Sequence, residues 1–155
     1  MEKNNAKISI LWTFARIAVG MIFAYAGFSK LTEPVANFET SLLKYGVFSP
    51  LWIPWIARIV PWFEWFFGAF FVLGYAVRST AIGTTLLSLG FLATLTSSNL
   101  FLQAGGTDCG CFGQFGIHLS LHQMFVVDLI CFGASLRMIL LKQFPFSLDS
   151  FLLKR

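Results

Sequence analysis

Leu51–Ala76 reads LWIPWIARIVPWFEWFFGAFFVLGYA. A bilayer is crossed by roughly 20 apolar residues, and this run is long enough. Trp52 and Trp55 stand at its start, as interfacial belt residues do. Pro61 falls inside the run and predicts a kink, because its ring frees the carbonyl of Ala57. Glu64 follows one turn later, and Gly74 and Arg78 mark the exit.

Three further runs of the same character lie on either side, at about 8–29, 80–102 and 121–141. Of the 155 residues, 57% are hydrophobic and 12% charged, whereas soluble domains average about 25% charged. The expectation is an all-α, integral membrane four-helix bundle, a single polytopic domain over 1–155, with no room for a separate soluble domain. The net charge of +4 comes from scattered basic residues, which argues against a nucleic-acid partner and for topology signals.

Span one places Gly20, Ala24 and Gly27 at three- and four-residue spacing, a face suited to close helix packing in lipid. Lys30 is read as marking the far interface. Ala24-Tyr25-Ala26 resembles a signal-peptidase site. Arg16 interrupts the run, however, and its length suffices to span, so the helix is read as retained. Between spans one and two, Phe38, Leu42 and Tyr45 repeat at helical spacing. They predict a short amphipathic helix, either on the membrane surface or packed as a loop helix. Gly83 and Gly90 are packing candidates in span three. Its many hydroxyls are read as bonding their own backbone. Ser120 and Gln123 form a capping-box pattern opening span four.

Four spans put both termini on one side. That side collects Lys3, Lys7, Arg78, Lys142, Lys154 and Arg155, against Lys30 and Lys44 on the other. The positive-inside rule then predicts cytoplasmic termini in a bacterial inner membrane and an outward-facing loop 103–119.

That loop contains Thr107-Asp108-Cys109-Gly110-Cys111-Phe112-Gly113. Outside the cytosol disulfides persist. Gly110 permits the tight backbone that closing Cys109 on Cys111 requires. A ring so small should be strained, and a strained disulfide is labile and redox-active. Two other readings stand beside it. As a staple the ring would constrain little of the unfolded chain. As a metal site, Cys109, Cys111, His118 and His122 offer two sulfurs and two imidazoles, suited to zinc or copper. Cys131, within span four, is read as a small buried hydrophobe.

Arg16, Arg58, Glu64 and Asp128 lie inside spans, where ionisable residues are costly and pair with one another. Matching by depth suggests Arg16 with Glu64 and Arg58 with Asp128. These are either interhelical glue or a proton or quinone site beneath the dithiol. The aromatic crowd Trp62, Phe63, Trp65, Phe66, Phe67, Phe70 and Phe71 is read as lipid contact and core, with a quinone cleft as the sharper alternative.

Three stretches carry a resemblance. They are Phe23-Ala24-Tyr25-Ala26-Gly27-Phe28-Ser29-Lys30-Leu31; Phe38 to Tyr45-Gly46 with Pro61, Glu64 and Gly68; and Asp108-Cys109-Gly110-Cys111-Phe112-Gly113. Together they resemble the DoxX-like superfamily and, within it, the MauE branch, the methylamine-utilisation membrane proteins. The resemblance implies a four-helix membrane bundle engaged in thiol–disulfide chemistry that matures periplasmic proteins. In the named branch this is disulfide formation in the methylamine dehydrogenase small subunit, beside a thioredoxin-like partner. It would make Cys109 and Cys111 the redox pair and Glu64 the acidic residue of span two. Where the family pattern has an Arg entering the last helix, this sequence has His122 and Gln123.

The expected activity is thiol–disulfide exchange with a thioredoxin-like protein or a client protein. A quinone is the candidate electron sink. The alternative is a membrane scaffold or metal-binding module.

Overall fold

The computed structural model describes residues 2–97 and 120–140, with side chains from Ile10 onward except Leu121. Among the described residues five helices follow one another: α1 (Glu2–Thr32), α2 (Val35–Tyr45), α3 (Ile53–Leu73), α4 (Val77–Ser97) and α5 (Leu121–Leu140). Four of them contain stretches long and apolar enough to cross a membrane: Ile10–Thr32, Ile53–Leu73, Val77–Ser97 and His122–Leu140. The chain is an all-α, multi-pass membrane protein, and α2 is the short helix between its first two spans.

Local chemistry sets the boundaries. Pro34 ends α1 and opens α2, where the Asn37 N–H donates to the Pro34 carbonyl at 2.9 Å. Gly46, left-handed at φ 68°, closes α2 by donating to the Leu43 carbonyl. Gly74 does the same for α3 at φ 71°, with its N–H directed to Phe70. Helix α3 runs on through the buried Pro61. At the start of α5, the Ser120 N–H donates to Gln123 Oε1 at 3.0 Å, and the Gln123 N–H donates to Ser120 Oγ at 3.4 Å. This is the reciprocal capping box that the sequence suggests.

The most extensive interface joins α1 to α3, and it is backbone against backbone. A Cβ added at Gly27 would lie 2.7 Å from the Pro61 carbonyl, one at Gly20 would lie 2.9 Å from that of Gly68, and one at Gly68 would collide with Ala24. The small face of α1 therefore meets a small face of α3, the dispersion-driven packing available to helices in lipid. Gly83 of α4 receives the ring of Phe67, whereas Gly90 has open space around it. Between α4 and α5 the contact is partly polar, and the Thr84 hydroxyl donates to Ser135 Oγ at 3.2 Å. Thr80 donates to its own helix backbone, and the carbonyls of Thr80 and Ala81 are alternative acceptors for the single Thr84 proton.

Two apolar clusters divide the bundle lengthwise. One gathers Phe38, Leu42 and Tyr45 of α2 with Ile53, Ala57 and Leu95, and Met124 and Phe125 pack against it. The same three α2 residues that carry the sequence periodicity are its buried face. Helix α2 thus covers the end of the bundle where α4 finishes and α5 begins. The other cluster joins Val19, Phe23, Phe71, Val77, Ala81, Cys131 and Met138. On α3, Phe71 is core while Trp62, Phe63, Phe66 and Phe70 face outward, with Trp62 and Phe63 each stacked on the ring one turn on.

Candidate functional site

All five helices meet at one buried charge. Lys30 Nζ donates to both Glu64 oxygens at 2.8 Å. The two residues are 5% and 1% exposed. The ammonium also lies 5.1 Å from the ring centre of Phe38 on α2 and 5.0 Å from that of Phe91 on α4, within the range of cation–π attraction. Asp128 of α5 is 7% exposed and shares a small cavity with Lys30, Glu64, Phe91 and Cys131.

This arrangement corrects the pairing suggested by depth. Glu64 is bound by Lys30, not Arg16, and Lys30 is not an interfacial marker. Helix α1 continues to Thr32, so Lys30 still sits on a helix. Side chains on a helix tilt toward its N-terminus, which sends the Lys30 stem inward rather than out to the interface. The Gly20–Ala24–Gly27 contact with α3 fixes the register that brings it within reach of Glu64, and the rings of Phe38 and Phe91 close over it.

Arg16 is 2% exposed but is seated at the other end of α3. Its guanidinium lies against Gly74, and a Cβ there would collide with Nη1. Gly74 is the residue that ends α3, so Arg16 meets the negative end of the helix dipole. Arg58 is exposed, and among the described residues it does not pair with Asp128. Asp128 instead faces the Lys30–Glu64 pair, with Ser88 of α4 beside it. Of the four intramembrane charges singled out in the sequence, Glu64 and Asp128 come together, while Arg16 and Arg58 stand elsewhere. The missed residue is Lys30. Its signal is a lysine one turn past the small face that locks α1 to α3.

An apolar cavity of about 240 Å³ opens beside this cluster, under α2. It is lined by Phe38, Leu42, Tyr45, Ile56, Gly90 and Phe91, among others, and Phe91 also borders the small polar cavity. None of the aromatic crowd of α3 lines it.

Cys109, Cys111 and His118 lie outside the described residues. His122 is exposed in the first turn of α5. Cys131 is a free, buried thiol packed in the apolar cluster with Phe71 and Met138. Among the described residues no group of His, Cys, Asp and Glu could hold a metal ion.

No solved structure matches the chain. "Protein TlpB" of Flavobacterium psychrophilum is 30% identical over 119 residues, covering 74% of this chain and 32% of that protein. The match thus spans about a third of the relative's length. The family model described as "Methylamine utilisation protein MauE" matches residues 8–141. With most of its length under that match, including all four spans, the chain belongs to the MauE family.

Proposed function

We propose that this chain is a membrane-embedded thiol–disulfide redox protein whose working group is the Cys109–Cys111 pair, held outside the cytoplasmic membrane of a bacterium. The observation that carries the reading is a Cys-Gly-Cys sequence in the segment joining α4 to α5 of a MauE family member. Further support comes from the charges. Removing the buried Lys30 from the count leaves Lys44 alone among the basic residues of the side opposite the termini, which favours cytoplasmic termini more strongly. The dithiol segment then opens outward, where disulfides persist.

In the oxidising direction, a thiolate of a partner protein attacks the Cys109–Cys111 disulfide and forms a mixed disulfide. The partner's second thiol then displaces the chain, leaving an oxidised partner and two reduced cysteines. Two electrons and two protons have entered the chain and must leave again. A thioredoxin-like protein can take them by the same exchange run from the other side, and a membrane quinone is the other acceptor of suitable chemistry. Maturation of a disulfide-bearing enzyme of methylamine use fits the family's name, and other extracytoplasmic clients fit the same chemistry.

Trapping tests the reading. In cells producing Cys109→Ser or Cys111→Ser, the remaining cysteine should accumulate as a mixed disulfide with a partner, visible on non-reducing gels and absent from the double variant. Absence of any adduct, together with full complementation by the double variant, would leave a scaffold. Bound metal lost on His118→Ala and His122→Ala would replace exchange with a metal site.

A further inference from the structure

We propose that Asp128 is a proton-binding carboxyl of the membrane interior, seated with Ser88 and water beside the Lys30–Glu64 ion pair. This goes beyond the dithiol reading and stands without it.

Among the described residues, the groups facing the small cavity are Lys30 from α1, Glu64 from α3, and Asp128 and Cys131 from α5. Helix α4 contributes Phe91 to the lining and Ser88 beside Asp128, and α2 contributes the Phe38 ring over the ammonium. Two carboxyls therefore share one ammonium. That ammonium is committed, because it bonds both oxygens of Glu64 and lies against two rings.

Asp128 is left over. Its Oδ2 is buried and has no hydrogen-bond partner among the described residues, and the same holds for Ser88 Oγ. A bare carboxylate in such a place is very costly, and binding a proton removes the charge. The proton also turns an acceptor-only group into a donor. The cavity measures about 40 Å³, enough to admit water. A water there can accept from the Asp128 hydroxyl, while Ser88, outside the cavity lining, stands beside the carboxyl itself, within reach of its other oxygen. A quinone ring does not fit this volume.

The site lies two helical turns below Ser120, where the dithiol segment rejoins the bundle. A carboxyl that stores a proton at that depth is placed to exchange it with the end of the bundle at which thiols would gain or lose theirs.

Infrared spectroscopy of the full chain in lipid vesicles tests this without any redox assay. In sodium-free buffer at neutral pH, the spectrum should contain the carbonyl stretch of an un-ionised carboxylic acid, shifted in D2O. Asp128→Asn should abolish the band. Ser88→Ala should shift it, which keeps the test decisive if Asp128→Asn fails to fold. Glu64→Gln should also abolish it, because the released Lys30 ammonium would then draw Asp128 into the ionised form. Three results would overturn the proposal. They are no such band in the wild-type chain, a band that survives Asp128→Asn, or a band that sodium chloride removes and potassium chloride does not, which would mark a sodium site.

Discussion

Among the described side chains, helix α1 buries two cations, and the bundle accommodates them by different means. Lys30, near the end covered by α2, is held by a carboxylate and two aromatic rings. Arg16, near the other end, is held against the terminus of α3 at Gly74. A side-chain partner concentrates the energetics in one pair, so that losing either member leaves an unpaired charge. A helix terminus presents fixed backbone dipoles, and its geometry depends on the residue that ends the helix. The two ends should therefore fail in different ways.

Lys30→Met should produce the largest loss, about 3–5 kcal/mol, because Glu64 is left buried without its cation. The double variant Lys30→Met/Glu64→Met should recover most of that loss, since buried ion pairs exchange for apolar side chains at little net cost. Reversible unfolding in mixed detergent measures both. A double variant as weak as the single would mean that the pair contributes more than charge balance.

Next in size is the backbone contact that sets the register. Gly68→Val should cost at least about 1–3 kcal/mol by overpacking against Ala24. Gly90→Ala, where nothing lies within 4 Å, should be neutral or stabilise by up to about 1 kcal/mol. Equal effects at the two glycines would contradict the α1–α3 register that delivers Lys30 to Glu64.

At the Arg16 end, Gly74→Ala meets two obstacles, a left-handed backbone at φ 71° and the guanidinium itself. A cost of about 1–3 kcal/mol is expected. Arg16→Ala combined with Gly74→Ala should cost less than the two separate losses together, because the collision disappears.

The smallest effect is expected in the same turn. Ala76 holds φ 47°, which glycine adopts freely, so Ala76→Gly should stabilise by up to about 1 kcal/mol. A loss of stability would mean that the Ala76 methyl group contributes packing that outweighs the backbone strain.

Much of this fold is legible in the residues. The four apolar stretches, the α2 face of Phe38, Leu42 and Tyr45, the Ser120–Gln123 cap and the small face of Gly20, Ala24 and Gly27 all follow from local periodicity and composition. The charge partners do not. Depth along a span and the face a residue occupies can be counted from sequence, but which neighbour each face meets cannot. That is why Arg58, inside an apolar run, turns out to be exposed while Asp128 is buried. Lys30 was hidden by a boundary: ending span one at Ser29 makes the next residue look interfacial. The helix in fact continues to Thr32, and a covering helix three residues later in sequence closes over the ammonium. The dithiol itself belongs to the segment outside the described residues, so its place in the chemistry rests on sequence and family.

The most direct test of the account is the accessibility of Cys109 and Cys111 in intact cells. After external reduction, a membrane-impermeant maleimide should label both cysteines, and it should label neither when an oxidant precedes it, while Cys131 stays unlabelled throughout. Labelling of the pair only after the cells are permeabilised would place the dithiol on the cytosolic side and contradict the account.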